Sequence, residues 1–117
     1  MSHIAAPPVF TFEVEECPDG VAIVHCHGKL VAGVTDVVIT GVRPLFANHK
    51  RVVLDLSDLK HTDSMGMGAL VRLYVGAKSA GCSLELAHLS KQIRHLLGIT
   101  HLLDVFVIVG ESGIKWM

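Results

Sequence analysis

Charge is what this sequence has least of. Of its 117 residues only 18% are Asp, Glu, Lys or Arg, against about a quarter in an ordinary globular domain. Ten basic residues face eleven acidic ones, and no basic stripe runs along the chain. Without one, the electrostatic attraction on which nucleic acid and anionic membranes depend is missing, and neither is expected as a ligand. Cysteine is also sparse. Cys17, Cys26 and Cys82 are odd in number, far apart and without CxxC spacing, which excludes a disulfide framework or a zinc knuckle and fits a reducing compartment. No apolar run approaches the about 18 residues of a membrane-spanning helix, and MSHIAAPPVF lacks the basic-then-apolar order of a secretory signal. The expectation is a soluble, cytoplasmic protein.

What the chain does have is apolar residues, 50% of the total, in a length that suits one domain with a single core. So lean a polar complement leaves either apolar surface for a partner or simply a thin polar shell. Residues 1–8 carry Pro7-Pro8 and read as a flexible lead-in, so the domain is placed at 9–117.

From Val9 to Glu15 apolar and charged residues alternate, Pro18-Asp19-Gly20 signals a turn, and Val21 to His27 alternates again, together predicting an antiparallel hairpin. Gly33 to His49 suits a helix capped by Gly33 or Thr35, with Val34, Val37, Val38, Leu45 and Phe46 on one face and Pro44 kinking or dividing it. Arg51 to Leu56 reads as a buried strand. Ser64 to Ala80 is a helix with Leu70, Leu73, Tyr74 and Ala77 inward and Gly81 at its end. SLELAHL is a strand, KQIRHLLG a helix capped by Ser90 and ended by Gly98, and Val105 to Val109 a last strand. After the hairpin, strict alternation predicts an α/β fold: a mixed, mainly parallel sheet with crossover helices.

The stretch from His61 to Leu70, HTDSMGMGAL, carries the densest chemistry. Asp63 or Ser64 suits the cap of the following helix. A helix N-terminus also favours an anion, so a phosphate on Ser64 fits there, while Asp63 beside it would repel the added charge of about −1.5 to −2. A nucleotide loop needs GxxxxGK and no lysine follows Gly66 or Gly68; a hydrolase elbow needs GxSxG and Thr62 stands at the first glycine. A nucleophilic Ser64 would further require a base from His61, His88 or His95, and no oxyanion hole is recognisable.

RVVLDLSDL followed by DS-x-G-x-G at a helix start, then a glycine-ended helix and another strand, resembles the STAS domain of bacterial anti-sigma-factor antagonists over Val9 to about Gly110. The resemblance implies that Ser64 is phosphorylated by an anti-sigma factor that is also a serine kinase. It implies binding of that kinase by the unphosphorylated form, release on phosphorylation, and restoration by a serine phosphatase. Thr62, Asp63, Ser64, Met65, Gly66, Met67 and Gly68 are then the partner-binding segment. The domain would catalyse nothing and need no cofactor or metal, the kinase bringing the ATP site; a weak homodimer is compatible. Two positions depart from the family's pattern: Met65 stands where a small residue is usual, and Gly28-Lys29-Leu30-Val31 lacks the acidic residue of an early GxLD element. Both suit the alternative the same resemblance carries, a non-switching scaffold subunit of a signalling assembly or lipid-transport complex.

Elsewhere His25-Cys26-His27 looks like a ligand set, but a strand sends the histidines to one face and Cys26 to the other, so exposed strand histidines are expected, and Cys26 and Cys82 as small core residues. Asp55 and Asp58 are placed on either side of a turn after the third strand. Arg94 and His95 are placed on a solvated helix surface.

Overall fold

The computed structural model describes residues 8–102 and 105–109; most of the expected lead-in lies outside them. Strands β1 (Phe10–Cys17) and β2 (Val21–Leu30) form the hairpin, joined by a single 3-10 turn at Pro18–Gly20. Next come α1 (Thr35–Val42), a 3-10 segment (Arg43–Ala47), β3 (Arg51–Thr62), α2 (Ser64–Ser79), β4 (Ser83–Ala87), α3 (Lys91–Ile99) and β5 (Val107–Val109). The sheet has five strands in the order β1-β2-β3-β4-β5, antiparallel at β1-β2 and parallel at every other pair. This is the expected α/β architecture.

The core lies between one sheet face and the helices. Ala22, Val24 and Cys26 of β2, Val52, Leu54 and Leu56 of β3, and Leu84 and Leu86 of β4 alternate inward, as the period of two requires. They meet Val38, Ile39 and Val42 of α1, Met67, Leu70, Leu73 and Ala77 of α2, and Ile93 and Leu97 of α3. Burying each of the valine, leucine, isoleucine and methionine side chains contributes about 1.5–3 kcal/mol. Val37, expected inward, is instead exposed, because the buried stripe runs through Val38, Ile39, Val42 and Phe46. Pro44 divides the helix as expected: the α-helical part stops at Val42 and the chain continues as a 3-10 turn. Neither Gly33 nor Thr35 caps α1; its N-cap is Val34, which has no side chain able to do so.

The largest departure concerns β3, which runs on to Thr62 instead of ending at Leu56. On β2, His25 and His27 are two residues apart, but their partners Asp55 and Asp58 are three apart, so β3 carries an extra residue there. This irregularity lets Leu56 and Leu59 both enter the core and breaks the alternation that marks a strand in sequence. Asp55 and Asp58 therefore lie within β3 and do not flank a turn. The ends of β4, α3 and β5 fall one or two residues from expectation, with α3 passing through Gly98 to a cap at Thr100.

Candidate functional site

The parallel strands β2 and β3 end side by side, Leu30 opposite Thr62, and α2 leaves immediately after β3. Asp63 is its N-cap: extended in backbone, it accepts a hydrogen bond from the Gly66 amide at 2.9 Å through one carboxylate oxygen. Its other oxygen accepts from the Ala32 amide, 3.0 Å away in the loop leaving β2. These two amides, Ala32 first, hold the Asp63 carboxyl below the usual carboxylate range, so it remains ionised in mild acid. One side chain thus ties the β2-α1 loop to the first turn of α2.

With Asp63 acting as cap, the hydroxyl of Ser64 has no structural duty. Ser64 is the first residue of α2 and exposed, and its hydroxyl makes no hydrogen bond to a described residue. Met65 beside it is 57% exposed, and Gly68 one turn on is exposed with nothing within 4 Å of where a Cβ would stand.

The other residues of the segment face inward. Thr62 is buried and its hydroxyl donates to the Leu30 carbonyl at 2.7 Å. Gly66 lies over that same pair: a Cβ there would come within 2.1 Å of both the Leu30 oxygen and Thr62 Oγ1. Met67 is a core residue. So the two glycines differ in kind. Gly66 is needed for helix α2 to sit against the ends of β2 and β3, whereas Gly68 leaves surface open to an approaching body.

Of the candidate bases, His61 is engaged elsewhere, its Nδ1 lying 3.2 Å from Gln92 Nε2. Among the described residues no group of three or more His, Cys, Asp or Glu side chains is arranged to hold a metal ion, and no helix is long and apolar enough to cross a membrane. Cys26 and Cys82 are buried as expected, and burial pushes the Cys26 thiol up to about 12. The strand histidines are not simply exposed. His25 and His27 are half-buried and each ring lies between two carboxylates, an arrangement that spans three strands and is invisible until register is known.

A mixed sheet with helices packed on it, and a capped helix opening on an exposed serine, define a small α/β domain. The chain belongs to the STAS domain family, whose model matches residues 14–113. Solved structures agree in fold. An anti-sigma factor antagonist from Mycobacterium paratuberculosis is 21% identical, with 92% of each chain covered and a TM-score of 0.77. The Bacillus anti-sigma factor antagonist SpoIIAA in its unphosphorylated form is 13% identical, covering 87% of this chain and 90% of its own, at TM-score 0.72. A sulfate transporter family protein from Wolinella succinogenes is 23% identical, with 80% of each chain covered and a TM-score of 0.69. The same fold therefore occurs in more than one kind of protein, and the site must distinguish them.

Proposed function

We propose that this protein is an anti-sigma-factor antagonist that works by partner switching, with Ser64 as the phosphoacceptor. The observation that carries the reading is the division of labour at the start of α2: Asp63 takes the capping duty, and the adjacent Ser64 hydroxyl is left exposed and unbonded. An acceptor serine must be reachable by a kinase and free of structural work, and Ser64 is both. SpoIIAA, which shares the fold, has been solved in phosphorylated and unphosphorylated forms, so the fold accommodates the modification. In this reading Ser64, Met65 and Gly68 form the contact surface for an anti-sigma factor serine kinase, and Thr62, Gly66 and Met67 hold that surface in shape. A phosphate on Ser64 brings about −1.5 to −2 charges beside the ionised Asp63. The repulsion opposes docking and loads the Asp63 link to Ala32. A serine phosphatase resets the switch; the domain itself performs no chemistry and works in the cytoplasm.

The test is incubation with the cognate kinase and ATP, mass mapping, and binding measurements on Ser64→Ala and Ser64→Asp. Modification at Ser64 alone, with binding kept by Ser64→Ala and lost by Ser64→Asp, is expected. An unmodified Ser64 together with undiminished binding by Ser64→Asp refutes it. One observation favours the scaffold reading instead: Met65, the residue after the acceptor, is a bulky, exposed apolar side chain. Native mass measurement from the source cell separates the two, since a large assembly or a transport ATPase in place of a small kinase supports the scaffold.

A further inference from the structure

Among the described residues β1 is an edge strand, paired only with β2, and its outward residues are mostly acidic. Three of its carboxylates are met by histidines. On the sheet face turned away from the helices, Glu15 Oε1 lies 2.8 Å from His25 Nε2, while His25 Nδ1 lies 2.8 Å from Asp55 Oδ2 on β3. One step along, Glu13 Oε1 is 3.0 Å from His27 Nε2, and His27 Nδ1 is 2.6 Å from Asp58 Oδ2. The irregularity in β3 is what brings Asp58 opposite His27. Glu16, one residue on from Glu15 and so on the opposite face of β1, lies 2.7 Å from His49 Nε2; His49 Nδ1 is 2.8 Å from the Leu45 carbonyl.

In all three rings both nitrogens face an acceptor. A carboxylate or a carbonyl oxygen can only accept, and a neutral imidazole has one N–H and one lone pair. A neutral ring therefore satisfies one contact and sets its lone pair against the other oxygen; an imidazolium donates to both. We propose that His25, His27 and His49 form a proton-dependent clamp that fastens β1 to the rest of the sheet from both of its faces. When each ring gives up one proton to solvent it keeps a single donor, one of its two bonds is lost, and the edge strand loosens.

The surrounding charges are consistent with this. Hydrogen bonding to Glu15 and then Asp55 raises His25 above its ordinary 6.5; Asp58 and then Glu13 raise His27; Glu16 and then the Leu45 carbonyl raise His49. Lys60, 3.0 Å from Asp58 Oδ1, is a cation that opposes the effect from outside, and His88, in the loop after β4, acts electrostatically on Asp55. Because the folded values lie above the unfolded one, the stabilisation is complete below about pH 6.5 and is lost as pH rises through the folded values.

The experiment is a pH titration of the full chain by NMR, reading ring nitrogen shifts together with backbone amide exchange corrected for its intrinsic pH dependence. All three rings are expected to titrate above 6.5, with protection of the β1 amides falling severalfold as they do and α2 protection unchanged. His27→Gln and His49→Gln should show low β1 protection already at pH 6 and a flattened pH response. Glu16→Gln should lower the titration of His49 and leave His25 and His27 in place. Rings that titrate at or below 6.5, or β1 protection indifferent to their charge, overturn the proposal, and the wild-type titration decides this even where a variant fails to fold.

Discussion

Exchanging each of the two glycines of α2 for alanine tests the packing at the start of the helix directly, because the structure assigns them opposite signs. At Gly66 the new methyl would stand 2.1 Å from the Leu30 oxygen and from Thr62 Oγ1, and 3.0 Å from the Leu30 carbonyl carbon. The oxygen is backbone in a sheet strand and cannot swing aside, so α2 must lift or the end of β2 must shift. Overpacking of this kind costs about 1–3 kcal/mol. Displacing Thr62 also weakens its bond to Leu30, a loss of about 0.5–1.5 kcal/mol. Alanine returns about 0.5–1 kcal/mol through its better helical propensity, which leaves Gly66→Ala about 2 kcal/mol less stable than wild type. At Gly68 nothing stands within 4 Å, so only the propensity gain remains and Gly68→Ala should be about 0.5–1 kcal/mol more stable. In urea unfolding the midpoints should move in opposite directions at constant slope. For the first variant the melting temperature should fall by about 6–12 °C. A Gly66→Ala protein as stable as wild type, or two variants that shift together, refutes the assignment.

Asp63→Ala removes the cap of α2 and the link to Ala32 together and should lower the urea midpoint, whereas Asp63→Asn, whose single amide oxygen can take the place of only one of the two carboxylate oxygens, should keep the cap to Gly66, lose the bond from Ala32 and recover only part of the loss. Because the Asp63 carboxyl sits low in the folded state, its stabilisation is present above the ordinary 3.8 and disappears as pH falls through the folded value; acid unfolding of Asp63→Asn should lack that component. Among the thiols, half-buried Cys17 should react with a thiol reagent well before Cys26, whose burial keeps it protonated; equal labelling rates in the native protein would contradict the core placement.

How much of this is legible in the sequence depends on whether the signal is local. The hairpin, the helices and the alternation behind the parallel sheet each rest on periodicity and turn residues that neighbours in the chain supply. β3 beyond Leu56 was hidden because its extra residue breaks the period of two at the very place where Leu56 and Leu59 both turn inward. The choice between Asp63 and Ser64 as cap, and the separate roles of Gly66 and Gly68, rest on Ala32 and Leu30, more than thirty residues upstream. The histidine contacts were hidden for the same reason. HCH by itself shows only which side chains share a face, and Asp55 and Asp58 become partners through register alone.

The sheet's strand order is also the order of the chain. Each strand emerging during synthesis finds its neighbour already made, so assembly needs no strand to insert between two others. The first strand stays at a margin throughout. That margin is fastened by side chains as well as by the backbone ladder, and because the histidines that hold it also lean on β3 and on the segment before it, the hairpin alone cannot complete the set of contacts.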